Sequence, residues 1–248
     1  MDKKYGDHLN INKLINFPNM NLEKVSEEKT DIDMIIHCAA FCRIRECIKD
    51  PDQTIMDNVI GTYNVFEYAR RQKIKKVILF SSSRVEYLEK NIYTASKKFM
   101  ENLAVAYQEC YGIDYIIIRP STVYGAMDFS DRLFPRFINN AFRNEDLIVY
   151  GTELKTLSIM HVIDVIPIVA KCVNYFVRYM NQTFNIATET RTVTYIAAQI
   201  IKIIGSKSKI TYELPELSQP QNVNQEHNFD DYKPQIELEE GIRKTIGG

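Results

Sequence analysis

The sequence predicts an α/β fold organised around a doubly wound parallel sheet, and three observations carry that expectation. Residues 33–40 (DMIIHCAA), 75–83 (KKVILFSSS) and 114–119 (DYIIIR) are short, nearly continuous apolar runs. Strands covered on both faces look like this, whereas a half-exposed strand alternates apolar and polar residues. Between the runs lie two segments of helical texture, and strand, helix, strand, helix, strand is the order of a parallel sheet with crossover helices.

Each element has a local reason. The helix expected over 57–72 places Val59, Val65, Phe66 and Ala69 near helical spacing, with Asp57 and Asn58 at its start. The longer helix expected over Ile92–Tyr111 puts Met100, Leu103, Ala104 and Tyr107 on one stripe. Pro120 closes the third strand. Beyond Gly125 the texture changes: helices are expected over 134–144, 165–179 and 194–204, and short strands over Leu147–Tyr150 and 158–162. Residues 215–228, polar with two prolines, read as a surface loop. The expected division is a partial dinucleotide-binding domain, 1–125, and a mostly substrate-binding lobe, 126–248, some of whose elements return to the sheet.

Composition narrows the function classes. The chain has 248 residues, 45% apolar and 25% charged, with a net charge of −1. That balance argues against nucleic acid as a partner, and no run reaches the length of a membrane span. Five thinly spread cysteines fit reduced thiols in a cytoplasmic protein. Cys38, Cys42 and Cys47, close to His37, match no zinc spacing, so no metal is expected.

The chemistry concentrates in Tyr93-Thr-Ala-Ser-Lys97, at the opening of a helix that follows Ser81-Ser82-Ser83. Residues four apart share a helix face, so a lysine ammonium can lie near the phenol and favour its ionised form. A tyrosine so tuned can serve as acid/base toward a sugar hydroxyl or carbonyl. Ser82 or Ser83, at a strand's C-terminal end where α/β sheets bind ligands, could hold the same oxygen. Taken singly, a tyrosine and lysine at this spacing are usually a surface pair, and serines there are usually caps.

Order and spacing change that balance. Tyr5-Gly6-Asp7, Asp33-x3-His37-Cys-Ala-Ala40, Asn58-Val-Ile-Gly-Thr62-x-Asn64, Ser81-Ser-Ser83 and Tyr93-x3-Lys97 follow one another. Then come Arg119-Pro-Ser-Thr-Val-Tyr-Gly125, Phe134-Pro-Arg-Phe-Ile138, Val149-Tyr-Gly151 and His161-Val-x-Asp164-Val. Phe184-Asn-Ile186 and Leu238-Glu-Glu-Gly-Ile-Arg243 close the series. In this the chain resembles the extended short-chain dehydrogenases/reductases, specifically the nucleotide-sugar epimerase/dehydratase group.

The resemblance implies an NAD-dependent oxidoreductase or isomerase acting on a nucleotide-activated sugar, an epimerase or a reductase, with NADP left open as cofactor. It makes Tyr93 the acid/base, Lys97 the residue that binds the nicotinamide ribose and tunes Tyr93, and Ser82 the catalytic serine, with Ser83 as its understudy. Cys38, Ala39, Ala40 and Asn58 would border the cofactor, Pro120 and Ser121 would pass near the nicotinamide, and Ser82 and Thr122 would face the sugar. A homodimer through helices 57–72 and 92–111 follows from the same source.

Departures from the family pattern set the alternative. The family opens with a strand, a Gly-x2-Gly-x2-Gly turn, a helix and a second strand before the step seen here at Gly6-Asp7. No such turn occurs in this sequence, so the expected fold is an N-terminally truncated Rossmann-like sheet with a small C-terminal α/β lobe. Its 33–40 strand would expose an edge. Ser83 and Arg84 stand where the 4,6-dehydratases carry an Asp-Glu pair, which argues against dehydration. Lys155-Thr-Leu157-Ser158 replaces the family's Gln-Thr-Arg-Asp and removes an arginine that binds the diphosphate. The competing reading is a degenerate, non-catalytic member or a gene fragment acting as a binding or regulatory subunit.

Overall fold

The computed structural model describes residues 31–87, 90–128, 130–216, 219–220 and 222–247. The Tyr5-Gly6-Asp7 element lies outside them. The chain runs β1 (Ile35–His37), α1 (Ile44–Lys49), α2 (Pro51–Thr54), a π-helical stretch (Ile55–Ile60) and α3 (Gly61–Arg71). Next come β2 (Lys76–Phe80), a 3-10 turn (Ser83–Glu86), α4 (Ile92–Tyr111), β3 (Asp114–Pro120) and β4 (Thr122–Tyr124). The later half holds α5 (Leu133–Arg143), β5 (Leu147–Tyr150), β6 (Thr156–His161), α6 (Val162–Asn174), α7 (Phe176–Tyr179) and β7 (Gln182–Ile186). It closes with β8 (Glu189–Thr192), α8 (Val193–Ile204), β9 (Ile210–Glu213), β10 (Asn222–Val223) and α9 (Leu238–Gly247).

The three apolar runs line up as expected. The main sheet has the order β1-β2-β3-β7, with every neighbouring pair parallel. Its two faces are covered by different helices. Val77, Leu79 and Ile117 pack against Val65, Phe66 and Ala69 of α3 and Met100 and Ala104 of α4. Ile78, Ile116 and Ile118, one residue out of phase, pack against Ile168 and Cys172 of α6 and Phe176 of α7. Period-two alternation sends successive side chains to opposite faces, and each fully buried Ile or Leu contributes roughly 1.5–3 kcal/mol. The doubly wound α/β sheet read from the sequence is the fold observed.

The remaining elements form the lobe. β6 pairs in parallel with β4 and β10 and antiparallel with β8, while β5 and β9 make a separate parallel pair. Helices α5, α8 and α9 enclose a second core of Tyr124, Phe134, Phe137, Leu147, Ile196 and Ile242. The expected 215–228 loop is corrected: β10 lies within it, because Asn222 and Val223 pair with Thr156 and Leu157. The helix expected over 165–179 begins earlier, at Val162, where the His161 ring accepts a hydrogen bond from Ile163 N (3.3 Å), and it breaks at Tyr175. The helix expected from Asp57 starts at Pro51 and passes through the π-helical stretch.

Candidate active site

Three local devices bring Tyr93, Lys97 and Ser82 together. Asn91 caps α4, its Oδ1 accepting from Thr94 N at 2.9 Å, so that Tyr93 lies in the first turn. At the other end Gly112 takes the left-handed conformation (φ 59°) that ends the helix. Strand β2 extends its pairing to Ser81, whose N–H donates to Ile118 O (2.8 Å), and then turns at Ser82. The Ser82 side chain accepts from Arg84 N (3.2 Å), which fixes the turn.

Tyr93 is 7% exposed, and Ser82 is the neighbour that most opposes the effect of that burial on its phenol. Burial pushes the phenol up to about 12, against the opposing pull of Ser82 and the Arg84 guanidinium. Lys97 is 3% exposed, and its Nζ donates to Phe80 O at 3.0 Å. Burial brings its ammonium down to about 8, resisted by the Cys42, Cys38 and Cys47 thiols and by Glu101. Desolvation dominates at the phenol, and the cation that favours its ionisation is Arg84, two residues along the chain from Ser82.

The loop after β1 is held by one side chain. Asn58, on the π-helical stretch and fully buried, accepts from Phe41 N (2.7 Å) and donates to Phe41 O (3.0 Å) and Ser96 Oγ (2.9 Å). Ser96 Oγ in turn donates to Tyr93 O (2.8 Å). The amide is thus spent on tying the 38–42 loop to α4, and Asn58 positions rather than presents a free group. His37 Nε2 meets Thr62 Oγ1 at 3.0 Å, and Thr62 Oγ1 donates to Asn58 O at 2.6 Å. With that hydroxyl proton used, Nε2–H is the His37 donor. Burial, then Lys97, pushes His37 down to about 4, so it is neutral at physiological pH.

Tyr93 and Ser82 open on a cleft of about 260 Å³ between the sheet and the lobe, whereas Lys97, Asn58 and His37 do not line it. Ser82, Ser83, Tyr93, Ser121 and Thr122 of the sequence-derived set line it. Ser121 Oγ is buried and has no hydrogen-bond partner among the described residues. Cys38, Ala39 and Ala40 follow β1 on the same C-terminal side of the sheet, the first two exposed and the third partly so; Pro120 ends β3. Sequence reasoning singled out Lys155 but missed the arginines that line the cleft with it, Arg43, Arg45, Arg84, Arg132 and Arg136, alongside Glu46, Asp131 and Glu216. Arg45 pairs with Glu216 across the cleft. Arg45 and Arg136 also approach the Tyr150 ring, at 5.4 and 5.3 Å from its centroid. Leu157 also lines the cleft, as does Lys155, whose Nζ donates to Tyr150 O (2.7 Å).

Residues 4–187 match the NAD dependent epimerase/dehydratase family. The chain belongs to that family. Among its relatives in this epimerase/dehydratase family is a putative UDP-glucose 4-epimerase of Methanocaldococcus jannaschii, 28% identical, covering 97% of this chain and 86% of the relative. The fold is shared with UDP-glucuronic acid 4-epimerase from Bacillus cereus, solved with UDP-glucuronic acid and NAD. Its TM-score is 0.84 at 22% identity, covering 94% of this chain and 79% of that one. UDP-N-acetylglucosamine 4-epimerase from Methanobrevibacter ruminantium, solved with UDP-N-acetylmuramic acid, gives 0.80 at 22% identity, over 94% and 82%.

Proposed function

We propose that this chain is an NAD-dependent epimerase of a nucleotide-activated sugar, with Tyr93 as acid/base, Ser82 as its partner on the sugar oxygen, and Lys97 on the cofactor ribose. The observation that carries the reading is a buried phenol that lines a cationic cleft together with Ser82, beside strand C-termini. The residues suit the cofactor. Ser121 offers an unpaired buried hydroxyl, and Lys97 offers a desolvated ammonium with donors beyond the one used on Phe80 O. Bound NAD supplies reversible hydride acceptance at a sugar carbon.

The protein's own groups handle the proton. With its phenol pushed up to about 12, Tyr93 is protonated near neutral pH, the state that donates to a keto oxygen. Ser82 is placed to hold that oxygen while the proton crosses, and Arg84 favours the phenolate left behind. Returning the same proton reverses the step. The positive wall receives the diphosphate, with Lys155, Arg136 and Arg45 around Tyr150. A second copy covering the α3–α4 face belongs to the same reading.

Two measurements test it. Nicotinamide fluorescence should report NADH binding by the purified chain, and epimerisation of a UDP-sugar should follow. Tyr93→Phe should cut kcat by about 10²–10⁴-fold with NADH affinity retained. Turnover that survives Tyr93→Phe intact removes Tyr93 from the chemistry, and absence of NADH binding at millimolar concentration favours a non-catalytic binding subunit.

A further inference from the structure

We propose that Cys42 is a modification site at the reacting end of the cleft, where small-molecule disulfides attach as mixed disulfides. The proposal goes beyond the epimerase reading, because thiol exchange needs neither sugar nor cofactor. Access comes first. Cys42 is exposed and lines the cleft together with Ser82 and Tyr93. Its place is fixed through the preceding residue. Asn58 accepts from Phe41 N (2.7 Å) and donates to Phe41 O (3.0 Å), and the Cys47 thiol donates to the same carbonyl (3.4 Å).

The surroundings supply the second condition, a desolvated cation. Lys97 is buried, and its Nζ donates to a neutral carbonyl, Phe80 O, at 3.0 Å. Cys42 does more than Cys38, Cys47 or Glu101 to oppose the effect of burial on that ammonium, and its influence reaches the Tyr93 phenol as well. Thiol exchange spreads negative charge along a line of three sulfurs in its transition state. An ammonium within electrostatic reach, shielded from water, stabilises that charge. The other thiols lack one condition or the other. Cys47 and Cys172 are buried, and Cys110, exposed, belongs to the last turn of α4. Cys38 is exposed but does not line the cleft, and partial desolvation pushes its thiol up against the pull of Lys97.

The exchange balances without a further reactant. The Cys42 sulfur attacks one sulfur of the disulfide, whose S–S bond breaks as the new one forms. The departing thiolate takes up the proton that Cys42 gave up. Cys42 is oxidised and half of the disulfide is reduced, so the small disulfide is itself the oxidant. The adduct occupies the space beside Tyr93 and Ser82 until a reducing thiol removes it.

Timed reaction of the full chain with glutathione disulfide at pH 7, read thiol by thiol by peptide mass spectrometry, tests the proposal. Cys42 should react at least about tenfold faster in the folded chain than in the same chain unfolded in urea, whereas Cys110 should react no faster folded than unfolded. Dithiothreitol should remove the adduct, and Cys42→Ser should abolish the fast reaction. Lys97→Met should bring the folded rate at Cys42 down to its unfolded value. A Cys42 that reacts no faster folded than unfolded overturns the proposal. So does an acceleration that survives Lys97→Met, or one that falls on Cys38 instead. The rates are read without turnover, so loss of this proposal leaves the epimerase reading standing, and an inactive chain leaves the proposal to be decided by the rates alone.

Discussion

A lysine kept 3% exposed and below its ordinary pKa is a stability cost to the fold. Unfolded, Lys97 titrates near 10.5; folded, burial brings it to about 8. Between those values the unfolded chain holds more protons, so this residue's contribution makes stability rise with pH across pH 8–10.5. Below pH 8 the buried ammonium exerts its full penalty. Lys97→Met, which gives up one bond to Phe80 O, should therefore be more stable than wild type at pH 7, by about 1–3 kcal/mol. Urea titrations across pH should show the gap closing by pH 10.5, while the variant loses NADH binding. A Met variant less stable than wild type at pH 7 would end the argument. The Tyr93–Lys97 pair was legible in the sequence because both members sit on one helix, where spacing alone dictates proximity. Arg43, Arg45, Arg136 and Glu216 were not, since the cleft gathers them from separate segments and no local pattern marks them.

Elements follow the same rule. Strands β2 and β3 were legible because burial on both faces demands continuous apolar runs. Strands β8 and β9 were not: Glu189–Thr192 and Ile210–Glu213 are polar or half-exposed, and only their pairing with β6 and β5 makes them strands. The π-helical stretch was equally hidden, because Asn58's bonds to Phe41 and Ser96 are tertiary. Surface chemistry on two helical segments leads to a further expectation. Ile55, Met56, Ile60 and Tyr63 along the π-helical stretch and α3, and Phe99 and Val105 on α4, are large apolar residues left exposed. Helices α3 and α4 pack on each other, so two copies could bury these residues as a four-helix bundle. The chain should sediment as a dimer at micromolar concentration, and Met56→Lys with Phe99→Lys should make it a monomer. A wild-type monomer under those conditions removes the homodimer.

At the scale of the whole molecule, the main sheet and the lobe are joined by very short chain: Ser121 alone separates β3 from β4. The Tyr124 ring at the end of β4 is buried, stacked on Phe134 with centroids 3.9 Å apart and 7° between planes, and its edge meets His161. Gly241 of α9 packs directly on this ring: a Cβ there would overlap the Tyr124 hydroxyl and lie 2.8 Å from Cζ. The ring has no freedom to retreat between Phe134 and His161, so α9 must shift instead. Gly241→Ala should cost about 1–3 kcal/mol despite alanine's better helix propensity. Because Tyr124 ends β4, which follows β3 of the main sheet after Ser121 alone, the loss should lower one cooperative thermal transition. A calorimetric trace in which a second transition appears, with only that one moved by Gly241→Ala, would mean that the lobe melts on its own. The cleft between sheet and lobe would then be set by substrate binding, whereas a single shifted transition means its walls are held in place by the folded core itself.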